Sequence, residues 1–365
     1  MAYDNSTAAP IRRGPRLRAR PGRSRRLLAL ASAAVLGPAL LTACGGNSTT
    51  TTSDGLTQVT VGGGGSIFDT PLQVADANGY FRKQGLKMKF VTLTAATGPS
   101  ALQSGSVQFF DSSPTGFVSA LAKKLPQVAV SCDGLGNPLG LIVSKKFAKA
   151  HGLTAKTPAA QVAKALADST GGASSANTKA EAGIFLKKYG VDPDKKVKWV
   201  SLPSPAADKA ALNTGQIDWF VTSEPIPLQI QAEGDGVVVA DPAKVPEWGA
   251  EEAGYGQLVV AQKSYAGQHP DIVKKFATAV QQATAYMNTH LKDSDDTTVL
   301  KAAQKSLAGV PDAVVQSSLQ QVAWPADGSM DAAGWKKTMA FLDSLGTLPK
   351  GAGVTTDDWT NKYLQ

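Results

Sequence analysis

The sequence predicts an α/β protein of two lobes facing a shared cleft, each lobe a sheet flanked by helices. Three observations lead there. The stretch ALQSGSVQFFDSSP (101–114) is echoed by ALNTGQIDWFVTSEP (211–225). Each copy is preceded by a short apolar segment of the same kind, KFVTL (89–93) and KWVSL (198–202). Roughly 320 residues follow a basic leader, more than a single core usually serves.

The leader comes first in the chain. Residues 1–44 hold eight arginines against one acid, Asp4, a net of +7 out of the formal +8, so the remainder is close to neutral and a nucleic-acid partner is not implied. LLALASAAVLGPALLTAC follows the arginines, too short and too interrupted by Gly37 and Pro38 to span a bilayer, and reads as an export signal over 1–43. Ser24-Arg25-Arg26 weakly resembles a twin-arginine signal, and an ordinary positive n-region explains it as well. Residues 44–57 then form a Gly/Ser/Thr tract expected to be a flexible tether spanning on the order of 20 Å. With Cys44 set aside, as argued below, Cys132 stands alone and no internal disulfide is available.

The echo itself is a βαβ unit written twice. Ala101, Leu102, Gly105, Phe110 and Ser113 match Ala211, Leu212, Gly215, Phe220 and Ser223 without a gap. In each copy a strand leads through a proline-containing loop into a short helix stopped by Gly105 or Gly215, because a helix end favours a residue that tolerates the left-handed conformation. A nearly all-apolar strand follows, as expected of one covered on both faces, so Trp219 reads as core. Small polar residues and a proline come next. Ligands of open α/β sheets bind beyond the carboxyl ends of the strands, which places these residues at the cleft. Later, His269-Pro270 opens a helix whose Val273, Phe276, Val280, Ala283 and Met287 recur at helical spacing and form a core stripe.

Together these segments resemble the ABC-transporter substrate-binding proteins of the nitrate, sulfonate, taurine and thiamine-precursor group. VTVGGGGSIFDTPLQVADANGYFRKQGLKMKFVTL is similar to their first β-α-β unit, the two echoed stretches to their helix-Gly-strand elements, with Glu224-Pro225 in the second, and GYGQLVVAQKSYAGQHPDIVKKFATAVQQATAYMNTHL to the strand and long helix that return to the first domain. The resemblance implies a periplasmic-binding-protein-like fold of type II with two crossover strands, LGLIVS (139–144) and QLVVAQ (257–262). Domain I would comprise 58–143 and 258–365, domain II 144–257. Leu41-Thr42-Ala43-Cys44 resembles a lipobox, which implies lipidation at Cys44. The implied role is an exported, membrane-anchored monomer that hands a small organic solute, sulfonate-like or a nitrogen heterocycle, to a permease and its ATPase; no cofactor and no metal are implied. A sensor without transport is the alternative.

Candidate ligand contacts follow the strand ends. GGGGSIFDT (62–70) brings backbone amides, Ser66 and Asp69 to the first strand end, and Phe68 either walls the ligand or tucks into the first lobe. Thr97 lies in the loop after KFVTL, and Ser112, Ser113 and Thr115 follow the first echoed strand. GGASSANTKAEAGIFLKKYG supplies Ser174, Ser175, Asn177 and Thr178 at a helix start, with Thr178-x-x-Glu181 as a capping box and Lys179 as an available cation. Ser223 and Glu224 close the second echo, Asn137 precedes the first crossover and Tyr255 the second. With Arg82 the one arginine after the leader, an oxyanion would be held by amides and hydroxyls, while Asp69, Asp111 and Glu224 near the cleft would favour a ligand bearing a cationic or N–H portion; Asp69 and Asp111 read equally as turn or cap residues. An enzyme is disfavoured. His151, His269 and His290 lack metal-ligand spacing, there is no G-x-S-x-G, and the cysteine cluster of the fungal pyrimidine synthases that share this resemblance is missing.

Overall fold

The structure is a computed structural model that describes residues 50–293 and 296–364. The leader and Cys44 lie outside the described residues, so the signal and lipobox readings gain no structural account. Among the described residues eleven strands form two sheets: β1 (Thr50–Thr51), β2 (Thr57–Gly63), β3 (Leu86–Thr92), β4 (Phe109–Ser112), β5 (Gln127–Leu135), β6 (Leu139–Ser144), β7 (Ser169–Ala173), β8 (Val197–Ser201), β9 (Trp219–Ser223), β10 (Gly236–Ala240) and β11 (Tyr255–Gln262). In the first sheet β2 pairs in parallel with β3 and β4, β4 antiparallel with β11, and β11 antiparallel with β5. The second sheet repeats this plan: β7 is parallel to β8 and β9, β9 antiparallel to β6, and β6 antiparallel to β10.

The echo in the sequence is an echo in register. Val61 and Gly62 of β2 stand opposite Phe109 and Phe110, as Gly171 and Gly172 of β7 stand opposite Trp219 and Phe220. Phe90, Val91 and Thr92 of β3 take the places that Trp199, Val200 and Ser201 take in β8. The helices Gly98–Gln103 and Pro205–Thr214 precede the echoed strands, and Gly105 and Gly215 beyond them are left-handed at φ 72° and 74°. Trp219 is wholly buried, its indole N–H donating to Ser169 Oγ at 2.8 Å.

Two expectations are corrected. LGLIVS is a strand wholly of the second sheet, and QLVVAQ lies in the first, so neither bridges the lobes. The chain instead crosses through Gly136–Asn137–Pro138, between β5 and β6, and through the segment between Ala240 and Tyr255. The expected tether also ends early. Thr50 and Thr51 pair antiparallel with Thr57 and Gln58, and Thr52 Oγ1 and Gly55 N–H close the turn between them; β-branched threonines suit the edge of a sheet.

The helix Pro270–His290 buries its whole apolar stripe in the first lobe, where Phe276 stacks on Phe109 with centroids 3.9 Å apart. The second core gathers Phe185, Leu186, Trp219 and Trp248. The helix Ala332–Leu345 serves both lobes: Phe341 packs on the second core, while Leu342 and Leu345 pack with Val118 of the first lobe. The crossovers themselves meet backbone to backbone. Gly136 N–H donates to Gly254 O at 2.8 Å, and a Cβ on Gly256 would stand 2.0 Å from Gly136 O. Gly256→Ala is therefore expected to lower the unfolding free energy by about 1–3 kcal/mol, or more where the crossovers cannot part, as read by urea denaturation.

Candidate functional site

Both lobes deliver a small-residue loop and a capped helix to the carboxyl end of their first strand. Beyond β2, Ser66 caps the short 3-10 turn Ile67–Asp69, and the Asp69 carboxylate folds back to accept from the amides of Gly64 (3.2 Å), Gly65 (2.6 Å) and Ser66 (3.2 Å). The glycine loop thus spends on Asp69 the donors that the sequence offers to a ligand. Beyond β7, Ser175 caps the helix Ala176–Lys188 in a reciprocal pair with Thr178. The capping box stands three residues before its expected place, with Thr178 as its third helical residue, so Glu181 is free for another task.

One cavity of about 350 Å³ brings residues of the two lobes together. Ser113 and Thr115 line it from the first lobe and Asn177 from the second. Ser113 is the N-cap of the helix Pro114–Ala122, accepting from Gly116 N–H at 3.2 Å. That helix turns Thr115, Ser119 and then Lys123 toward the cavity at four-residue spacing, one face of a helix. Ala95, Ala96, Pro99 and Ser100 close the other side, in a loop pinned by Thr94 N–H donating to Thr97 Oγ1 at 3.0 Å. No carboxylate lines this space, and Lys123 has no ion-pair partner among the described residues. Sequence reasoning missed Ser100, Ser119 and Lys123, although the polar 115/119/123 stripe was there to be read.

Other expected contacts lie elsewhere. Phe68 is buried in the first core, edge-on to Trp324, so it does not wall the cavity. Tyr255 is buried against Trp335, its hydroxyl accepting from Asp331 N–H at 2.7 Å, because it anchors the C-terminal helix to β11. Ser112 is buried and donates to Ser113 O at 3.1 Å. Asn137 gives its amide to Glu181 at 2.8 Å. Ser174 stands half-buried beside Asp208, and Ser223 ends β9 opposite Leu139. Glu224, before a cis peptide to Pro225, is buried and accepts from Leu228 N–H at 3.1 Å. Lys179 is drawn to Asp194 at 2.9 Å and lies over the Trp199 ring.

Residues 53–303 match the NMT1-like family. The chain belongs to that family. It is 27% identical over 310 residues to the taurine-binding periplasmic protein of Escherichia coli K12, covering 81% of this chain and 89% of that one. Among solved structures it is similar to the periplasmic aliphatic sulphonate binding protein of Escherichia coli, with a TM-score of 0.63 at 15% identity over 83% of this chain and 92% of that one. The alkanesulfonate-binding protein of Xanthomonas axonopodis pv. citri bound to MOPS gives 0.60 at 18%, over 83% and 98%. At such identities the likeness concerns the fold, which is that of the periplasmic binding proteins.

Several acids of this NMT1-like chain are buried inside its lobes, away from the cavity. Asp69, Asp111 and Asp133 cluster in the first lobe, all buried. Burial, then the charges of Asp133 and Asp69, holds the Asp111 carboxyl well above the usual range, and burial with the charge of Asp69 pushes Asp133 up to about 8. In the second lobe burial raises Glu224 to about 8, Glu181 to about 7 and Asp208, beside Gly172 and Ser174, to about 6. Acids of this kind hold their protons more tightly in the fold than in the open chain. Their stabilisation is complete below the unfolded pKa near 4 and is lost as pH rises through about 6 to 8. The melting temperature should accordingly stand roughly 5 °C or more higher at pH 5 than at pH 8.5 in calorimetry. Asp133→Asn should raise it at pH 8.5 and leave it nearly unchanged at pH 5.

Proposed function

We propose that the chain is an exported, lipid-anchored solute-binding protein of an ABC importer, capturing a small organic sulfonate, of which the zwitterion taurine is one, by closure of its lobes. The observation that carries this is the cavity lined by Ser113, Thr115, Ser119 and Lys123 of one lobe and Asn177 of the other, with no carboxylate among them. A sulfonate is a fixed monoanion with three acceptor oxygens. Hydroxyl and amide donors with one ammonium match it, and charge-assisted hydrogen bonds are the stronger kind. The acids expected to favour a cationic portion are withdrawn into the lobes, so the anionic end of the ligand is the part this cavity is suited to hold. The names of the relatives agree with that chemistry, and membership of a family built on this fold supports a carrier rather than an enzyme.

Transport follows from closure. A solute touching both lobes stabilises the closed form by its differential affinity, and the closed form is the one that would dock on a permease driven by an ATPase. The leader and Leu41-Thr42-Ala43-Cys44 support delivery to the outer face of a membrane with lipid on Cys44.

Titration calorimetry with taurine, a short alkanesulfonate and nitrate tests the reading: at least one sulfonate should bind, and binding by none of them refutes it. Lys123→Met is expected to weaken the bound sulfonate about tenfold and to flatten the dependence on salt, since the lost contact is ionic. Asn177→Ala should weaken it by a similar factor and reduce the compaction seen by small-angle scattering on ligand addition. Cys44→Ser in cells should move the protein from the membrane fraction to the soluble one.

A further inference from the structure

The helix Ala176–Lys188 carries Asn177 to the cavity, and Glu181 lies one turn further along the same face. There a closed triangle of contacts binds three separate parts of the chain. Asn137, in the first crossover, donates its side-chain amide to Glu181 Oε1 at 2.8 Å and its backbone N–H to Trp248 O at 2.7 Å. Trp248, in the second crossover and wholly buried, returns its indole N–H to the backbone O of Glu181 at 3.3 Å. One residue of the cavity-lining helix thus touches both segments through which the lobes are joined.

A carboxyl is a costly group to place there. Glu181 is buried, and its one described side-chain partner is Asn137. Holding a helix against a core needs no acid, and a leucine would fill such a site at lower cost. A directional acceptor facing a hinge does something packing cannot: it fixes the rotation of the helix relative to the crossover. We propose that Glu181 is a positioning residue that locks the cavity-lining helix to both crossovers, so that the Asn137–Glu181 contact sets solute affinity without touching the solute. The proposal rests on the solute-capture reading above and adds a determinant outside the cavity.

The surroundings leave Glu181 as the titrating group of this triangle. Burial raises its carboxyl to about 7, opposed by the Asn137 hydrogen bond. Charged groups on the elements packed around it are engaged or exposed at the surface: Glu247 with Lys188 at 2.6 Å, Glu251 with Lys337 at 3.2 Å, Lys179 with Asp194 at 2.9 Å, and Glu252, Lys187, Lys336 and Asp343 exposed. Ionisation strengthens the acceptor but leaves a buried charge with one donor, so the contact should respond to pH near neutrality.

The test uses the full chain, with taurine as the probe for affinity and hydrogen exchange of the taurine-free protein as the probe for the crossovers. Glu181→Gln keeps an acceptor for Asn137 and abolishes titration, Glu181→Leu removes the acceptor, and Asn137→Ala removes the donor. Exchange of the Gly136 and Asn137 amides should accelerate about tenfold or more in Glu181→Leu and Asn137→Ala, and the Kd for taurine should rise about tenfold. Glu181→Gln should match the wild type in both, and should lose the difference in exchange protection that the wild type shows between pH 5.5 and 8.5 after correction for intrinsic rates. The proposal is overturned if Glu181→Gln is as impaired as Glu181→Leu, or if crossover exchange is unchanged in both disrupting variants. Where Glu181→Leu fails to fold, Asn137→Ala decides. A wild type that ignores taurine and alkanesulfonates counts against the capture reading, while the exchange arm still passes judgement on the positioning role.

Discussion

Each sheet takes one of its inner strands from the far side of the molecule: β11 reaches the first sheet from the second, and β6 reaches the second from the first. That exchange brings both crossovers through one place, and they meet there with no room for a side chain at Gly136 or Gly256. Gly136 donates to Gly254, and Gly256 lies so close to Gly136 O that a single methyl would clash. The lobes are therefore joined by two backbone segments in mutual contact, braced by Tyr255, Trp248 and the C-terminal helix. Any relative movement of the lobes must turn about this point, since loops and element ends absorb the dihedral change in a hinge.

Charge is sorted with respect to the same geometry. Asp69, Asp111 and Asp133 stand behind the glycine loop, Asp208 behind the Ser174 loop, and Glu181 and Glu224 next to the crossovers. Asp133 and Glu224, raised to about 8 by burial, hold their protons at neutral pH and so add no field to the cleft. The cavity is left with hydroxyls, an amide and the ammonium of Lys123. Near-neutral net charge outside the leader thus conceals a local positive bias where a solute would lie.

Much of the fold was legible because the duplication repeats backbone requirements. The helix-stopping glycines, the apolar inner strands and the 3.6-residue stripe of Pro270–His290 each state their own structure locally. The crossovers were not legible, since an apolar run such as LGLIVS reads the same in a sheet centre as in a bridge, and only pairing decides. The candidate site was legible in part. Ser113, Thr115 and Asn177 meet in one cavity because residues beyond strand ends must face the cleft. Asn137, Phe68 and Tyr255 do not reach it, because each is held by a partner distant in sequence: Glu181, Trp324 and Asp331. Lys123 went unread because the sequence reading stopped at Thr115 and did not follow the helical period on to Ser119 and Lys123.

The two lobes share a backbone plan and differ in what they offer a ligand. Where the first echo has Asp111 the second has Val221, and where the second has Asp208 the first has Gly98, whose missing side chain makes room for the Phe110 ring. In the first lobe the strand-end loop donates its amides to Asp69, and the cavity is lined instead by the face of the Pro114–Ala122 helix that carries Thr115, Ser119 and, at its end, Lys123. In the second, Ser175 and Thr178 satisfy each other and leave the Asn177 side chain at the cavity. A solute held mainly by the first lobe gains little from closure except the contacts the second lobe adds. On the proposed reading only interactions made in the closed form would shift that equilibrium, and the second lobe's cavity-lining group that could make them, Asn177, is carried by the Ala176–Lys188 helix.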